Sequence, residues 1–184
     1  MTRISPIDHG TAEGRTRELL DAVRTQLGFA PNMMKTMARS PAVLEAYLTL
    51  NATLGKVLDP KLREQIALVT AEENACGYCG AAHTALGRMA GLSDDEMLLA
   101  RAGKAAEPAS DAALRFAKAV LKKHGNVGDH DVEAAKQAGI SEAEIAQIVA
   151  HVALNVFTNY FNLTARTEID FPKIVVPIGK FANA

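Results

Sequence analysis

Apolar positions recur along this chain at helical spacing, and turn residues cut the pattern at intervals. Leu19, Leu20, Val23 and Leu27 predict an amphipathic helix over 11–27, closed by Gly28 and Pro31. Met33, Met34 and Met37 follow in a short turn or helix. Their flexible side chains suit gap-filling in a core, or a pliable wall around an apolar substrate. Ser40-Pro41 and Asp59-Pro60 each read as an N-cap with proline at the first helical position. They predict helices from 41 to about 57 and from 60 to about 74. In the second, Leu62, Ile66 and Val69 form one stripe and Ala67, Leu68 and Ala71 another, so this helix is expected to be buried on more than one side.

A further helix runs to about 90 and ends at Gly91. Ser93 with Glu96, and Ser141 with Glu144, form capping boxes that open two more. Between them a helix is predicted over 110–123. A short one, capped by Asp129, runs to 138, and the last extends from 141 to about 166. The segment 169–178 is too proline-rich for a helix. It is expected to lie as an extended arm on this subunit or on a neighbour. The pattern predicts an all-α fold, a single domain over 1–184 of about eight helices, with a core at about 40–125, a C-terminal helix at 141–166 and an arm at 167–184. A faint internal echo links residues 66–71 to 145–150. In that register Asn155 and Thr158 stand where Cys76 and Cys79 stand, as a duplicated helical unit would place them.

Composition narrows the classes of function. Apolar residues make up 48% of the 184 and charged residues 22%, ordinary for a soluble globular protein. The net charge of −1 gives no footprint for nucleic acid or an anionic membrane, so neither is expected as a partner. No window approaches the roughly 18 unbroken apolar residues of a membrane span. The first nine residues lack the apolar run and cleavage site of a signal peptide, which makes a cytoplasmic location the expectation. In that reducing compartment a cysteine pair is more often redox-active or metal-binding than a structural disulfide.

Both cysteines of the chain, Cys76 and Cys79, stand two residues apart, and His83 follows one helical turn later. If the stretch is helical, the three fall within an arc of roughly 60°. The start of a helix lowers thiol pKa through its unpaired N–H groups, so a thiolate, a second thiol and a proton-carrying imidazole would be gathered in one patch. Such a pair can reduce a peroxide through a sulfenic acid that condenses to a disulfide. Glu64 shares a helix side with Ala67, Leu68 and Ala71, where a partly desolvated carboxylate suits a proton carrier. It could equally pair with Lys61 or Arg63. Two other readings stay open. Cys76, Cys79, His83 and a carboxylate would make a four-coordinate zinc site, although His9, His124, His130 and His151 are scattered and supply no second ligand pair. Alternatively the cysteines are small core residues and His83 makes a structural hydrogen bond. No metal and no cofactor is expected.

The pattern Glu-x11-Cys-x2-Cys-x3-His, from Glu64 to His83, resembles the signature of the alkylhydroperoxidase D-like proteins of the carboxymuconolactone decarboxylase superfamily. The flanking capped helices, and the stretch from Asn159 to Pro172, look like the longer peroxidase-related members. The resemblance implies an all-helical fold and a thiol-dependent peroxidase acting on hydrogen peroxide or organic hydroperoxides. It implies that Cys79 is the attacking thiolate, Cys76 its proton donor and disulfide partner, and His83 and Glu64 the proton relay. It also implies recycling by an external thiol system such as a dihydrolipoyl protein, and assembly as a homo-oligomer, a trimer or hexamer. The best-studied peroxidases of the family carry histidine between the cysteines, where this chain has Tyr78. A phenol, with a pKa of about 10, is a poor base at neutral pH. The alternative to an enzyme is a non-catalytic redox sensor or assembly module whose cysteine pair sets oligomer state.

Overall fold

A computed structural model describes residues 1–172 and 174. Among these the fold is all-α, with nine α-helices and one short 3-10 turn at His9–Thr11. The helices are α1 (Gly14–Leu27), α2 (Asn32–Met37), α3 (Pro41–Leu54), α4 (Pro60–Glu73), α5 (Gly77–Met89), α6 (Asp94–Arg101), α7 (Pro108–Lys122), α8 (Asp129–Gln137) and α9 (Glu142–Ala165). The ninth, beyond the eight expected, is the methionine segment, which closes into the short helix α2. No single helix among the described residues is long and apolar enough to cross a membrane.

The local signals act as their chemistry requires. Asp59 accepts from the N–H groups of Lys61 and Leu62 at the start of α4. Ser93 and Ser141 complete both capping boxes. Gly28 closes α1 in the left-handed region at φ 80°, where a Cβ would be strained. Two starts differ from expectation. Glu107 caps α7, with Pro108 in its first turn, two residues before the predicted beginning. Asp129 lies inside α8 rather than capping it, because the carboxylate that satisfies the Gly128 N–H belongs to Asp131. Ser40 makes no side-chain cap, and α3 stops at Leu54.

Helix α4 is central and packs against α5, α6, α7 and α9. Every residue from Gln65 to Glu72 is buried, which is why its apolar residues fill two stripes instead of one. One core lies between α4, α6, α7, α8 and α9 around Ile66, Leu68, Leu114 and Ile148. A second core joins α1, α2 and α3 to the start of α5 through Leu20, Met37, Leu44, Tyr47 and both cysteines. The Glu72 carboxylate is wholly buried and accepts from Arg101 Nε at 2.9 Å, a charge pair that links α4 to α6. The N-terminal segment runs over the end of α9, where the N–H groups of Arg3 and Ile4 satisfy the Ala165 carbonyl.

Residues 167–172 are non-helical, as predicted for the arm, and lie on this subunit's own second core. Asp170 accepts from the Asn32 N–H at 2.6 Å, and the Glu168 carbonyl accepts from Asn32 Nδ2 at 3.1 Å. Phe171 stands edge-on to Phe29 and Tyr78. The remainder of the predicted arm, including Val175, Val176, Pro177 and Ile178, lies outside the described residues. At the positions that echo the cysteines, α9 runs on unbroken where the α4–α5 unit turns a corner, and Asn155 and Thr158 bond to their own helix backbone.

Candidate functional site

The corner between α4 and α5 builds the site. Ala75 takes a left-handed conformation at φ 53°, and the Cys76 N–H reaches back to the Ala71 carbonyl at 2.9 Å. This is the six-to-one bond of a Schellman ending, made here without glycine. The turn leaves Cys76 extended, as the residue that caps α5. Cys76 is therefore not on the helix face predicted for it. Its sulfur swings over the first turn instead and accepts from the Cys79 N–H at 3.4 Å.

The two sulfurs stand 2.6 Å apart, both as free cysteines. A disulfide needs about 2.05 Å, so the bond is within reach of side-chain adjustment. Both residues are sealed from solvent, at 1% and 2% exposure. Cys76 ionises more readily than an ordinary thiol, chiefly because of its sulfur–sulfur hydrogen bond with Cys79. The N–H groups of Cys79 and Tyr78 add to this against the cost of burial. Cys79 is pushed the other way by its hydrogen bond to Cys76, by burial and by the Cys76 charge, and is drawn partly back by the amides of Asn162 and Asn159. The resemblance makes Cys79 the attacking thiolate, whereas in the resting pair its surroundings push its pKa up. In the resting pair the helix start favours the charge on Cys76, because that sulfur, not Cys79, occupies the cap. Two thiols in such contact titrate as one unit, and a proton moving between them transfers the charge without leaving the site.

His83 lies one turn beyond Cys79 on α5, a spacing that puts Cβ atoms about 6 Å apart. Its Nδ1 meets Glu64 Oε2 at 2.8 Å, with both side chains about one-fifth exposed. The carboxylate fixes the imidazole and leaves the other ring nitrogen for proton transfer. Glu64 therefore pairs with His83, not with Lys61 or Arg63. The cysteines sit at the corner between α4 and α5, and His83 with Glu64 forms a partly exposed pair further along the two helices. Among the described residues, no group of three or more His, Cys, Asp or Glu is arranged to hold a metal ion.

Sequence reasoning missed several neighbours. Asn162 Nδ2 donates to the Cys79 sulfur at 3.3 Å. Asn159 is fully buried beside it and accepts from Asn74 Nδ2 at 3.1 Å. Tyr78 does not face the sulfurs as a base. Its hydroxyl accepts from the Met33 N–H and donates to Asp170 at 2.9 Å, and burial pushes its pKa up. Tyr47 is buried near Cys79 and Glu64, and its phenol is also held neutral, by burial first. His151, one of the scattered histidines, is buried on α9 near Arg63 and Glu64, with Nε2 unpartnered. Only the asparagine run near the end of α9 carried a sequence signal, and its spacing to the cysteines gave no hint of contact.

Comparison with known proteins agrees with this geometry. Residues 41–123 match the carboxymuconolactone decarboxylase family. No curated protein matches the chain. The alkylhydroperoxidase AhpD core of a peroxidase-related protein from Ralstonia eutropha JMP134 superposes with TM-score 0.81 at 25% identity, over 92% of this chain and 94% of that one. A peroxidase-related protein from Silicibacter sp. TM1040 gives 0.76 at 19% identity, over 98% and 95%. The debrominase Bmp8, in complex with 2,3,4-tribromopyrrole, gives 0.77 at 20% identity, over 92% of each chain. The last two likenesses speak to the fold alone. The matched segment holds α3 to α7, the cysteine corner included, so residues 41–123 resemble the carboxymuconolactone decarboxylase family, and the chain shares the all-helical fold of the alkylhydroperoxidase D-like, peroxidase-related protein it superposes on.

Proposed function

We propose that the protein is a thiol-dependent peroxidase that reduces hydrogen peroxide or small organic hydroperoxides. The observation that carries this reading is the pair of free sulfurs 2.6 Å apart at a helix start, one turn from a Glu64-oriented His83. In the first step Cys79 passes its proton to Cys76 and becomes the thiolate, accepting from Asn162. It attacks the terminal oxygen of R–O–O–H, the O–O bond breaks, and Cys79 becomes a sulfenic acid. The alkoxide released takes a proton delivered through His83. In the second step the Cys76 sulfur attacks the sulfenic sulfur. The S–S bond forms, the S–O bond breaks, and the hydroxyl leaves as water with the Cys76 proton. A dithiol then reduces the disulfide and is itself oxidised. A dihydrolipoyl protein is the reductant proposed, and a homo-oligomer the working form.

The test is peroxide consumption with dithiothreitol as reductant. Cys79→Ser abolishes it, and Cys76→Ser stops after one turnover with a sulfenic acid on Cys79 that a dione reagent traps. Wild-type rates in both variants would refute the mechanism. A change of oligomer size on oxidation, without catalytic consumption, would favour the redox sensor instead. A second reading is reductive debromination by the same dithiol. The apolar, methionine-rich core that encloses the sulfurs supports it, since an aromatic halide would be at home there. Assaying one preparation with a brominated pyrrole and with peroxide separates the two.

A further inference from the structure

Resting on the peroxidase reading, we propose that Asn159 and Asn162 form a hydroperoxide-binding amide pair that holds the attacked oxygen against Cys79. The two residues are one turn apart on α9 and are 0% and 3% exposed. Asn162 spends its Nδ2 on the Cys79 sulfur at 3.3 Å. Asn159 spends its Oδ1 on Asn74 Nδ2 at 3.1 Å, and this bond fixes which way its carboxamide faces. What remains is one donor, Asn159 Nδ2, and one acceptor, Asn162 Oδ1. Both are buried, and neither has a partner at full hydrogen-bond geometry among the described residues; the Asn159 amide only approaches the Cys79 sulfur.

Buried polar atoms are nearly always bonded, and each orphan destabilises the fold. Two orphans on adjacent turns beside one reactive sulfur call for a ligand with a matching complement. The Asn162 orphan belongs to the carboxamide that touches the sulfur. The Asn159 amide lies near enough to Cys79 to favour its ionised form. The terminal O–H of a hydroperoxide accepts one hydrogen bond and donates one. It would accept from Asn159 and donate to Asn162, which sets its oxygen beside the nucleophile. After the O–O bond breaks, the same oxygen is the sulfenic hydroxyl, still within reach of the Asn159 N–H. A brominated pyrrole has a ring N–H to donate to Asn162 but no oxygen to accept from Asn159, so the pair matches the hydroperoxide more fully.

The experiment compares two single-turnover rates at Cys79 in the Cys76→Ser background, sulfenic acid formation by hydrogen peroxide and alkylation by iodoacetamide. Asn159→Leu conserves volume and removes the amide. It is expected to slow the peroxide reaction by about 100- to 1,000-fold, as loss of one positioned donor does, and to slow alkylation far less, because alkylation loses only the amide's help in ionising Cys79. Equal slowing of both rates would mean a structural role or a general loss of thiolate and would overturn the proposal. So would an unchanged peroxide rate. If Asn159→Leu does not fold, Asn159→Ser supplies the same pair of rates. A parent protein that alkylates but never reacts with peroxide would sink the peroxidase reading itself, and this proposal with it.

Discussion

Removing the Asp170 carboxylate should loosen the segment that packs on Gly77 and Tyr78, the residues between the two cysteines, and so expose the sulfurs. Asp170 joins the non-helical segment 167–172 to the start of α2 and to Tyr78, accepting at 2.6 Å from the Asn32 N–H and at 2.9 Å from the Tyr78 hydroxyl. Ile169 lies against Gly77, with its Cδ1 3.8 Å from where a Cβ there would stand, and Phe171 packs edge-on to Tyr78. A hydrogen bond to a charged group contributes about 1.5–3 kcal/mol, and the lower end applies because Asp170 is exposed. Two such bonds to one carboxylate are not fully additive, so the latch is worth about 2 kcal/mol. At 1.4 kcal/mol per tenfold, Asp170→Ala should raise the population of the open form about 30-fold. The assay is the rate of thiol modification by a bulky aromatic disulfide, at reagent levels where the rate follows that population. Melting temperature, measured alongside, reports any global loss. Asp170→Asn keeps an acceptor without the charge and should fall between the two. If Asp170→Ala reacts within twofold of the parent while the melting temperature is unchanged, the strap does not guard the sulfurs.

Three further outcomes follow from the same geometry. Ala75→Gly relieves a left-handed alanine at φ 53°, so it should stabilise the protein by about 0.5–1 kcal/mol in denaturant melts, with thiol reactivity preserved. Thiolate absorbance against pH should show one proton leaving below the ordinary thiol value of 9.0 and a second resisting well above it. Stability should rise with pH up to that value, where the unfolded chain binds more protons, and fall beyond it. Cys76→Ser should abolish the early step. His151 is held neutral, mainly by burial, with its pKa below 6.5. The unfolded chain therefore binds a proton first as pH falls through 6.5, stability drops from there downward, and His151→Leu should flatten that part of the stability curve.

How the helices are punctuated was legible because the signals are local. Proline after Asp59, serine three residues before Glu96 and Glu144, and glycine after Leu27 act through the backbone groups of their own turns. Their effects do not depend on what the helix later packs against. The Cys-x-x-Cys-x3-His spacing was legible for the same reason, since Cys79 and His83 share one helix and the geometry of that helix alone sets them side by side. The double apolar stripe of α4 likewise announced a helix buried on more than one side.

Folding the chain on itself settled the rest. Ala75 carries no sign of the left-handed turn it makes, because packing at the α4–α5 corner forces a conformation alanine would otherwise avoid. That turn puts Cys76 in the cap and decides which sulfur carries the charge. Asn162 meets Cys79 across 83 positions, and Asp170 meets Tyr78 across 92 and Asn32 across 138. Contacts at such separations leave no periodicity along the chain. They exist only because α4 and α5 together pack against α9, and that packing depends on the summed burial of many side chains, not on any short motif.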